Sequence, residues 1–190
     1  MQALNISLFQ WVAAGFTPHS SLLCIATLIA ERSSWACVAI MAWVAWRHPE
    51  QRSYCMGTLT AAAVVAIAAH FLANAINSPR PFMVGLSPAH IGHGVRGSMP
   101  SAHASVMFAV ALIFCLRPAL RVAGLGMLAI AVVTGWARIY VGVHFPFDIL
   151  GGVALALGIT AVFWVALRLT QRFLLPRLAG VEPQSIARHA

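Results

Sequence analysis

The fold is indicated by residues 53–79, SYCMGTLTAAAVVAIAAHFLANAINSP, a run of 27 residues that contains no Asp, Glu, Lys or Arg. As an α-helix this run would be about 40 Å long, at about 1.5 Å per residue. The hydrocarbon core of a bilayer is about 30 Å thick and is crossed by about 20 apolar residues. Residues 53–79 therefore predict a membrane-spanning helix.

Similar runs occur along the rest of the chain. The other charge-free runs that predict spans are 97–116, 122–137 and 149–167. Residues 33–46 are too short to cross alone, so their helix must begin near Leu22 and must carry Glu31 and Arg32 with it. The sequence thus predicts about five transmembrane helices.

The N-terminal residues 1–19 predict a different element. Their apolar stretch, 4–16, is too short to cross a bilayer and is followed by Pro18. We expect a helix lying in the membrane interface, with Trp11 at the depth of the headgroups. The predicted fold class is an all-α polytopic bundle, with this interfacial helix at its N-terminus, in a single integral membrane domain over residues 1–190.

The composition excludes a soluble enzyme. Of the 190 residues 61% are hydrophobic and 8% are charged, and the mean hydropathy is +0.85. All 12 basic residues are Arg and the formal net charge is +8, but the arginines are scattered between apolar runs and form no basic stripe. Nucleic acid is therefore excluded as a partner. The expected partners are the bilayer and a lipid phosphate within it, and the sequence does not indicate an oligomeric state.

The arginines also predict the orientation. An odd number of spans puts the two termini on opposite sides of the membrane. The side of the C-terminus then carries eight arginines: Arg47, Arg52, Arg117, Arg121, Arg168, Arg172, Arg177 and Arg188. The positive-inside rule makes that side cytoplasmic, including the tail 173–190. Loops 77–100 and 138–148 then face the periplasm or the exterior. We expect a multi-pass protein of the bacterial cytoplasmic membrane with its C-terminus inside.

Polar residues are concentrated in three segments at the outward face. The segments are 77–81 (NSPRP), 98–103 (SMPSAH) and 138–148 (RIYVGVHFPFD). Pro100 and Ser101 are typical of a helix start, where Ser can cap the helix and the free amides favour an anion. His103 would lie in the first turn of that helix, beside a bound phosphate.

The other polar side chains in these segments suit phosphate chemistry. The planar guanidinium groups of Arg80 and Arg138 match phosphate oxygens. Asp148 can hold one imidazole nitrogen of His144 while the other nitrogen faces outward. Together with the helix start, these residues predict a phosphoryl-transfer site.

The order and spacing of these motifs resemble the type 2 phosphatidic acid phosphatase superfamily of membrane lipid-phosphate phosphatases, whose pattern is K-x6-RP, PSGH and SR-x5-H-x3-D. The residues that match are Arg80-Pro81, Pro100-Ser101-Ala102-His103 and Arg138-x5-His144-x3-Asp148. The likeness covers residues 73–148. The chain departs from the pattern with Ala73 for Lys, Ala102 for Gly and Ala137 for Ser, and Arg96 is a candidate for replacing the charge of the Lys.

The resemblance implies a covalent mechanism without a cofactor or metal. His144 would attack phosphorus and form a phosphohistidine, oriented by Asp148, while His103 would protonate the departing oxygen and then activate water. The residues implied in substrate binding are Arg80, Pro81, Arg96, Ser101, Ala102 and Arg138.

The flanking stretches RPFMVGL and ARIYVGVHFPFDILGG look most like the bacitracin-resistance branch of the family. That branch acts on undecaprenyl diphosphate, which implies hydrolysis to undecaprenyl phosphate and a place in cell-wall biogenesis. Phosphatidic acid, phosphatidylglycerol phosphate and a lipid A phosphatase or phosphotransferase remain open. From another class, a non-catalytic transporter or binding protein for anionic lipid would need the arginines but not the His pair.

Three further histidines, His70, His90 and His93, lie outside these motifs. His90 and His93, taken with His103, lack the cysteines or acids of a zinc site, so no metal site is predicted. His70, inside the span at 53–79, is expected to be a hydrogen-bonded residue between packed helices.

Overall fold

The computed structural model describes residues 2–174, which contain helices and no strands. The α-helices are α1 (Gln2–Val12), α2 (Ser20–Arg47), α3 (Arg52–Ile76), α4 (Ala102–Leu116), α5 (Arg121–Tyr140) and α6 (Pro146–Leu169). Short 3-10 turns cover Pro49–Gln51, Pro81–Val84 and Pro118–Leu120, and a π-helical turn, Thr170–Leu174, continues α6. The prediction of an all-α polytopic bundle is confirmed. The predicted tail lies outside the described residues from position 175 onward.

Four of the helices, α2, α3, α5 and α6, are long and apolar enough to cross a membrane, counting the short turns that adjoin them. The protein is therefore a multi-pass membrane protein. Each predicted span corresponds to an observed helix, but α4 has only 15 residues and is shorter than its charge-free run 97–116, so four of the five predicted spans reach spanning length among the described residues.

The central helix of the bundle is α4. It packs against α3, α5 and α6, and beyond Ser105 it is apolar around its whole circumference. A helix of this kind is buried by its neighbours. It has 15 residues, because the segment before Ala102 stays non-helical. Met99 precedes Pro100 there, and the residue before a proline avoids the α-helical conformation.

Close packing of α6 on α4 brings two of the motifs together. A Cβ atom added at Gly152 would lie 2.9 Å from Ala104 Cβ and 3.0 Å from the carbonyl oxygen of Ser101. Only a glycine allows this approach without a shift. As a result the start of α6 lies against the start of α4, and the Ser101 amide donates to the Asp148 carbonyl at 3.0 Å.

The N-terminal helix α1 packs on the segment that precedes α6. Phe9 is fully buried, and its ring lies 5.2 Å from that of Phe145. The Phe147 amide donates to Asn5 Oδ1 at 3.0 Å. Trp11 is 87% exposed. The interfacial position of α1 stays a prediction, but its contacts place it beside the loop that carries His144.

Candidate active site

An open cavity of about 100 Å³ lies at the end of the bundle where α3 ends and where α4 and α6 begin. Its lining residues are Ala69, His70, Ala73, Asn74, Arg80, His93, Arg96, Gly97, Pro100, Ala102, His103, Arg138 and His144. Three are arginines and four are histidines, and none of the lining residues is Asp or Glu. The cavity therefore suits an anion.

Most of the predicted site residues line this cavity, but three do not. Pro81, Ser101 and Asp148 lie behind the lining and are buried. Ser101 precedes α4 as predicted, but its side chain makes no capping hydrogen bond, which corrects the capping prediction. Its Oγ is one of the few buried polar atoms without a hydrogen-bond partner in the described part of the chain.

His144 is held by a three-residue arrangement that the sequence predicted only in part. Its Nδ1 lies 3.5 Å from Asp148 Oδ2 and 3.3 Å from Ser98 Oγ. The Ser98 hydroxyl donates to the same Asp148 oxygen, which also accepts the Phe145 amide at 2.7 Å. Because the Ser98 hydroxyl proton points to Asp148, Ser98 Oγ can only accept a hydrogen bond from Nδ1–H of His144. A neutral imidazole then carries no proton on Nε2.

The surroundings of His144 keep its imidazole neutral. The side chain is 2% exposed. Burial, followed by the positive charges of Arg138 and Arg80, holds the pKa of His144 well below its usual value. A neutral imidazole with a free lone pair on Nε2 is the form that a nucleophile requires.

Arg80 ties the loops of the site together. Its Nε donates to the Arg96 carbonyl at 2.9 Å, Nη1 to the Val143 carbonyl at 2.9 Å, and Nη2 to the Gly97 carbonyl at 3.1 Å. Nη1 also lies 3.4 Å from Nε2 and 3.5 Å from Nδ1 of His144. One guanidinium therefore joins the loop before α4 to the loop before α6, and it stands beside the reactive nitrogen.

Arg138 brings a further histidine into the site. Its Nη1 donates to the Ala30 carbonyl at 3.2 Å, and Nη2 lies 3.2 Å from His93 Nε2. Because an arginine can only donate, His93 accepts through Nε2 and carries its proton on Nδ1. Burial, with the charges of Arg80 and Arg138, lowers the pKa of His93 to about 3. Arg138 Nε is buried without a partner among residues 2–174.

The position of the missing Lys also faces the cavity. Ala73 and Arg96 both line it, and so does Ala102 beside His103. Asn74 Nδ2 lies 3.1 Å from His70 Nε2, and both side chains are exposed.

The prediction for His70 is therefore only half right. It is hydrogen-bonded, but it lines the cavity and does not pack between helices.

Sequence analysis gave Ser98, His93 and Asn74 no role in the site, although Ser98 opens the polar segment 98–103 and His93 was considered as a zinc ligand. Ser98 and His93 lie in the loop 85–101, where no periodic pattern marks them. Asn74 could have been found, because with His70 it forms a polar pair one helical turn apart in an apolar span. His90 lies elsewhere: its Nε2 contacts the Gly15 carbonyl at 2.9 Å. Within the described chain, no three His, Cys, Asp or Glu side chains come together as a possible metal site.

Comparison with known proteins gives related sequences over most of the chain. Residues 53–172 match the model of the PAP2 superfamily. YbjG of Escherichia coli (strain K12), provisionally named an undecaprenyl-diphosphatase, is 31% identical over 157 residues, which cover 80% of this chain and 77% of YbjG. The undecaprenyl-diphosphatase BcrC of Bacillus subtilis (strain 168) is 26% identical over 165 residues, which cover 85% of this chain and 83% of BcrC.

Two solved structures share the fold. Aquifex aeolicus LpxE aligns with a TM-score of 0.65 at 20% identity, over 85% of this chain and 94% of LpxE. The PAP2-type phosphatidylglycerolphosphate phosphatase of Bacillus subtilis aligns with a TM-score of 0.68 at 21% identity, over 90% of this chain and 88% of that enzyme. With the family match over residues 53–172 and the identity to YbjG, the chain belongs to the PAP2 superfamily and is a lipid phosphatase.

Proposed function

We propose that this lipid phosphatase hydrolyses undecaprenyl diphosphate to undecaprenyl phosphate and phosphate through a phosphohistidine on His144. The names of YbjG and BcrC support this choice of lipid. The observation that carries the proposal is the geometry of His144: a buried imidazole held by Ser98 and Asp148, whose Nε2 stands beside Arg80 in a cavity with no acidic residue in its lining.

In the first step, Nε2 of His144 attacks the terminal phosphorus in line with the bridging oxygen. The bond between that phosphorus and the bridging oxygen breaks, and His103 donates a proton to the oxygen, so that undecaprenyl phosphate leaves. The imidazole becomes positive as the bond forms. Asp148 and Ser98 stabilise this charge through Nδ1–H.

In the second step, water attacks the phosphohistidine and His103 accepts its proton. The bond between phosphorus and Nε2 breaks, phosphate leaves and His144 is regenerated. Arg80 and Arg138 stabilise the equatorial oxygens, which is where most of the catalysis of phosphoryl transfer lies. Arg138 Nε, buried without a partner in the described residues and carried by a side chain that lines the cavity, supplies a further donor for this charge.

The proposed location is the bacterial cytoplasmic membrane, with the cavity facing the periplasm or the exterior. At the end of the bundle opposite the cavity lie Arg47, Arg52, Arg117, Arg121, Arg168 and Arg172. The arginines of the cavity end are Arg32, Arg80, Arg96 and Arg138, and two of them are buried in the site. The positive-inside rule therefore assigns the opposite end, and the C-terminus with it, to the cytoplasm.

Phosphate release from purified protein in detergent with EDTA tests this proposal. The substrates are undecaprenyl diphosphate, phosphatidic acid and phosphatidylglycerol phosphate. We expect the fastest release from the diphosphate, and we expect release to be lost in His144→Ala. His90→Ala is the matched control, because it removes a histidine at the same end that does not line the cavity.

Each other outcome has a distinct meaning. Faster release from one of the monophosphate lipids would replace the proposed substrate. Turnover by His144→Ala would reject the phosphohistidine. Lipid binding by the wild-type protein without release of phosphate from any substrate would favour a non-catalytic binding protein.

A further inference from the structure

We infer that His70, Asn74 and Arg96 form an outer anion subsite, which binds the second phosphate of a diphosphate substrate, the phosphate that stays on the lipid. This role rests on the proposed function, because it requires that His144 attack the terminal phosphorus in the same cavity. The subsite would distinguish a lipid diphosphate from a lipid monophosphate.

The polar lining of the cavity separates into an inner and an outer group. The inner group, around His144, is buried: Arg80 is 6% exposed and Arg138 is 3% exposed. The outer group, His70, Asn74 and Arg96, is exposed at the mouth. The inner group supplies the nucleophile and the donors that one transferred phosphoryl group needs. The outer donors have no task in that chemistry.

The positions of His70 and Asn74 on α3 indicate a polar ligand. They lie one helical turn apart, so they share a face with Ala73. Ionisable side chains in a membrane span are expensive, and they usually face the bundle interior or a water-filled cavity at a functional site. Here Asn74 Nδ2 donates to His70 Nε2 at 3.1 Å. The Nδ1–H of His70 and the second amide N–H of Asn74 remain as donors on two side chains that line the cavity.

Ala73 leaves room between these donors and the inner group. The family pattern has a Lys at this position, whose long side chain would extend into the cavity. Arg96 supplies a positive charge from the loop before α4, and its carbonyl accepts from Arg80 Nε at 2.9 Å. The outer subsite is therefore held next to the inner one, as two phosphates joined by one oxygen require.

The inference is tested by comparing two substrates with the same lipid chain, farnesyl diphosphate and farnesyl monophosphate. The variants are Arg96→Gln and the double variant His70→Ala/Asn74→Ala. In each we expect the ratio of kcat/KM for the diphosphate to kcat/KM for the monophosphate to fall about tenfold, the factor that one hydrogen bond to a charged group provides. Arg32→Gln is the matched control, because Arg32 is exposed and does not line the cavity.

A ratio that stays at the wild-type value in both variants overturns the inference, even if their activities fall. Failure of the proposed function gives a different result, because it is seen in the wild-type protein itself, which would then release phosphate from neither substrate or faster from the monophosphate. In that case thermal unfolding with inorganic pyrophosphate and inorganic phosphate still tests the subsite. We expect tighter binding of pyrophosphate and a loss of that preference in Arg96→Gln. Equal binding of the two anions by the wild-type protein overturns the inference.

Discussion

Replacing Ser98 by Ala tests how the nucleophile is oriented. In the structure His144 Nδ1 is 3.5 Å from Asp148 Oδ2, which is longer than a normal N–H···O hydrogen bond of about 2.7–3.2 Å. Ser98 bridges this gap, because it donates to Asp148 and lies 3.3 Å from Nδ1. Without the hydroxyl, the imidazole loses the contact that fixes its proton on Nδ1.

The expected loss can be worked from these contacts. A hydrogen bond to a charged group contributes about 1.5–3 kcal/mol, and about 1.4 kcal/mol corresponds to a tenfold change in rate. Ser98→Ala should therefore lower kcat by about 10- to 100-fold. Ser98 does not line the cavity, so KM should change little. Asp148 keeps the Phe145 amide as a partner, so the fold should survive.

The assay is steady-state phosphate release together with thermal unfolding in detergent. Ser105→Ala is the matched control: Ser105 is equally buried, but its hydroxyl donates only to the Ser101 carbonyl, one turn earlier. Its kcat should stay within about twofold of wild type, since it touches no reacting group. A kcat for Ser98→Ala that is equal to that of Ser105→Ala, or a loss that appears in KM, would refute the positioning role.

Three other predictions follow from the packing, the charges and the orientation of the bundle. Gly152→Ala should lower the free energy of unfolding by about 1–3 kcal/mol, because the added methyl overpacks the contact between α6 and α4. Gly158→Ala, which has open space around it, should be neutral or stabilising. Equal thermal shifts in the two variants would contradict this. The pKa of His93 is about 3 in the folded protein and about 6.5 in the unfolded chain, so the folded state loses stability as pH falls below about 6.5. In thermal unfolding, His93→Gln should therefore lose less stability than wild type between pH 7 and pH 5. Equal losses would argue against this origin. In whole cells, with the native cysteines replaced, an impermeant maleimide should label Gly94→Cys and not Arg117→Cys; the reverse pattern would invert the orientation.

The helices were predictable because membrane spans depend on a simple property of the sequence. A charge-free run of sufficient length must be buried in lipid, and this identified the helix at Arg52–Ile76 almost to its ends. The start of α4 was less predictable, since a run of apolar residues does not show where Pro100 ends the extended segment. The prediction that Ser101 caps α4 was also wrong. Its hydroxyl is buried without a hydrogen-bond partner in the described residues, and this position depends on how the surrounding elements pack.

The site was predictable to the extent that its residues belong to ordered motifs. His144 and Asp148 are four residues apart at a helix start, so local geometry brings them together. Ser98 reaches them from 46 and 50 positions away, and His93 reaches Arg138 from 45 positions away. Such contacts depend on how α4, α5 and α6 pack, and no local pattern in the sequence encodes them.

Arg80 illustrates why a few motif residues suffice to assemble this site. The catalysis of phosphoryl transfer depends mainly on the positioning of the reacting groups and on the stabilisation of charge. Arg80 provides positioning through three backbone carbonyls, which every residue type possesses. The exposed side chain of Arg96 therefore takes no part in this contact with Arg80. Arg96 in particular can serve the mouth of the cavity while its backbone anchors the nucleophile, so that the catalytic chemistry and the choice of phosphate ester can be set by different atoms of one residue.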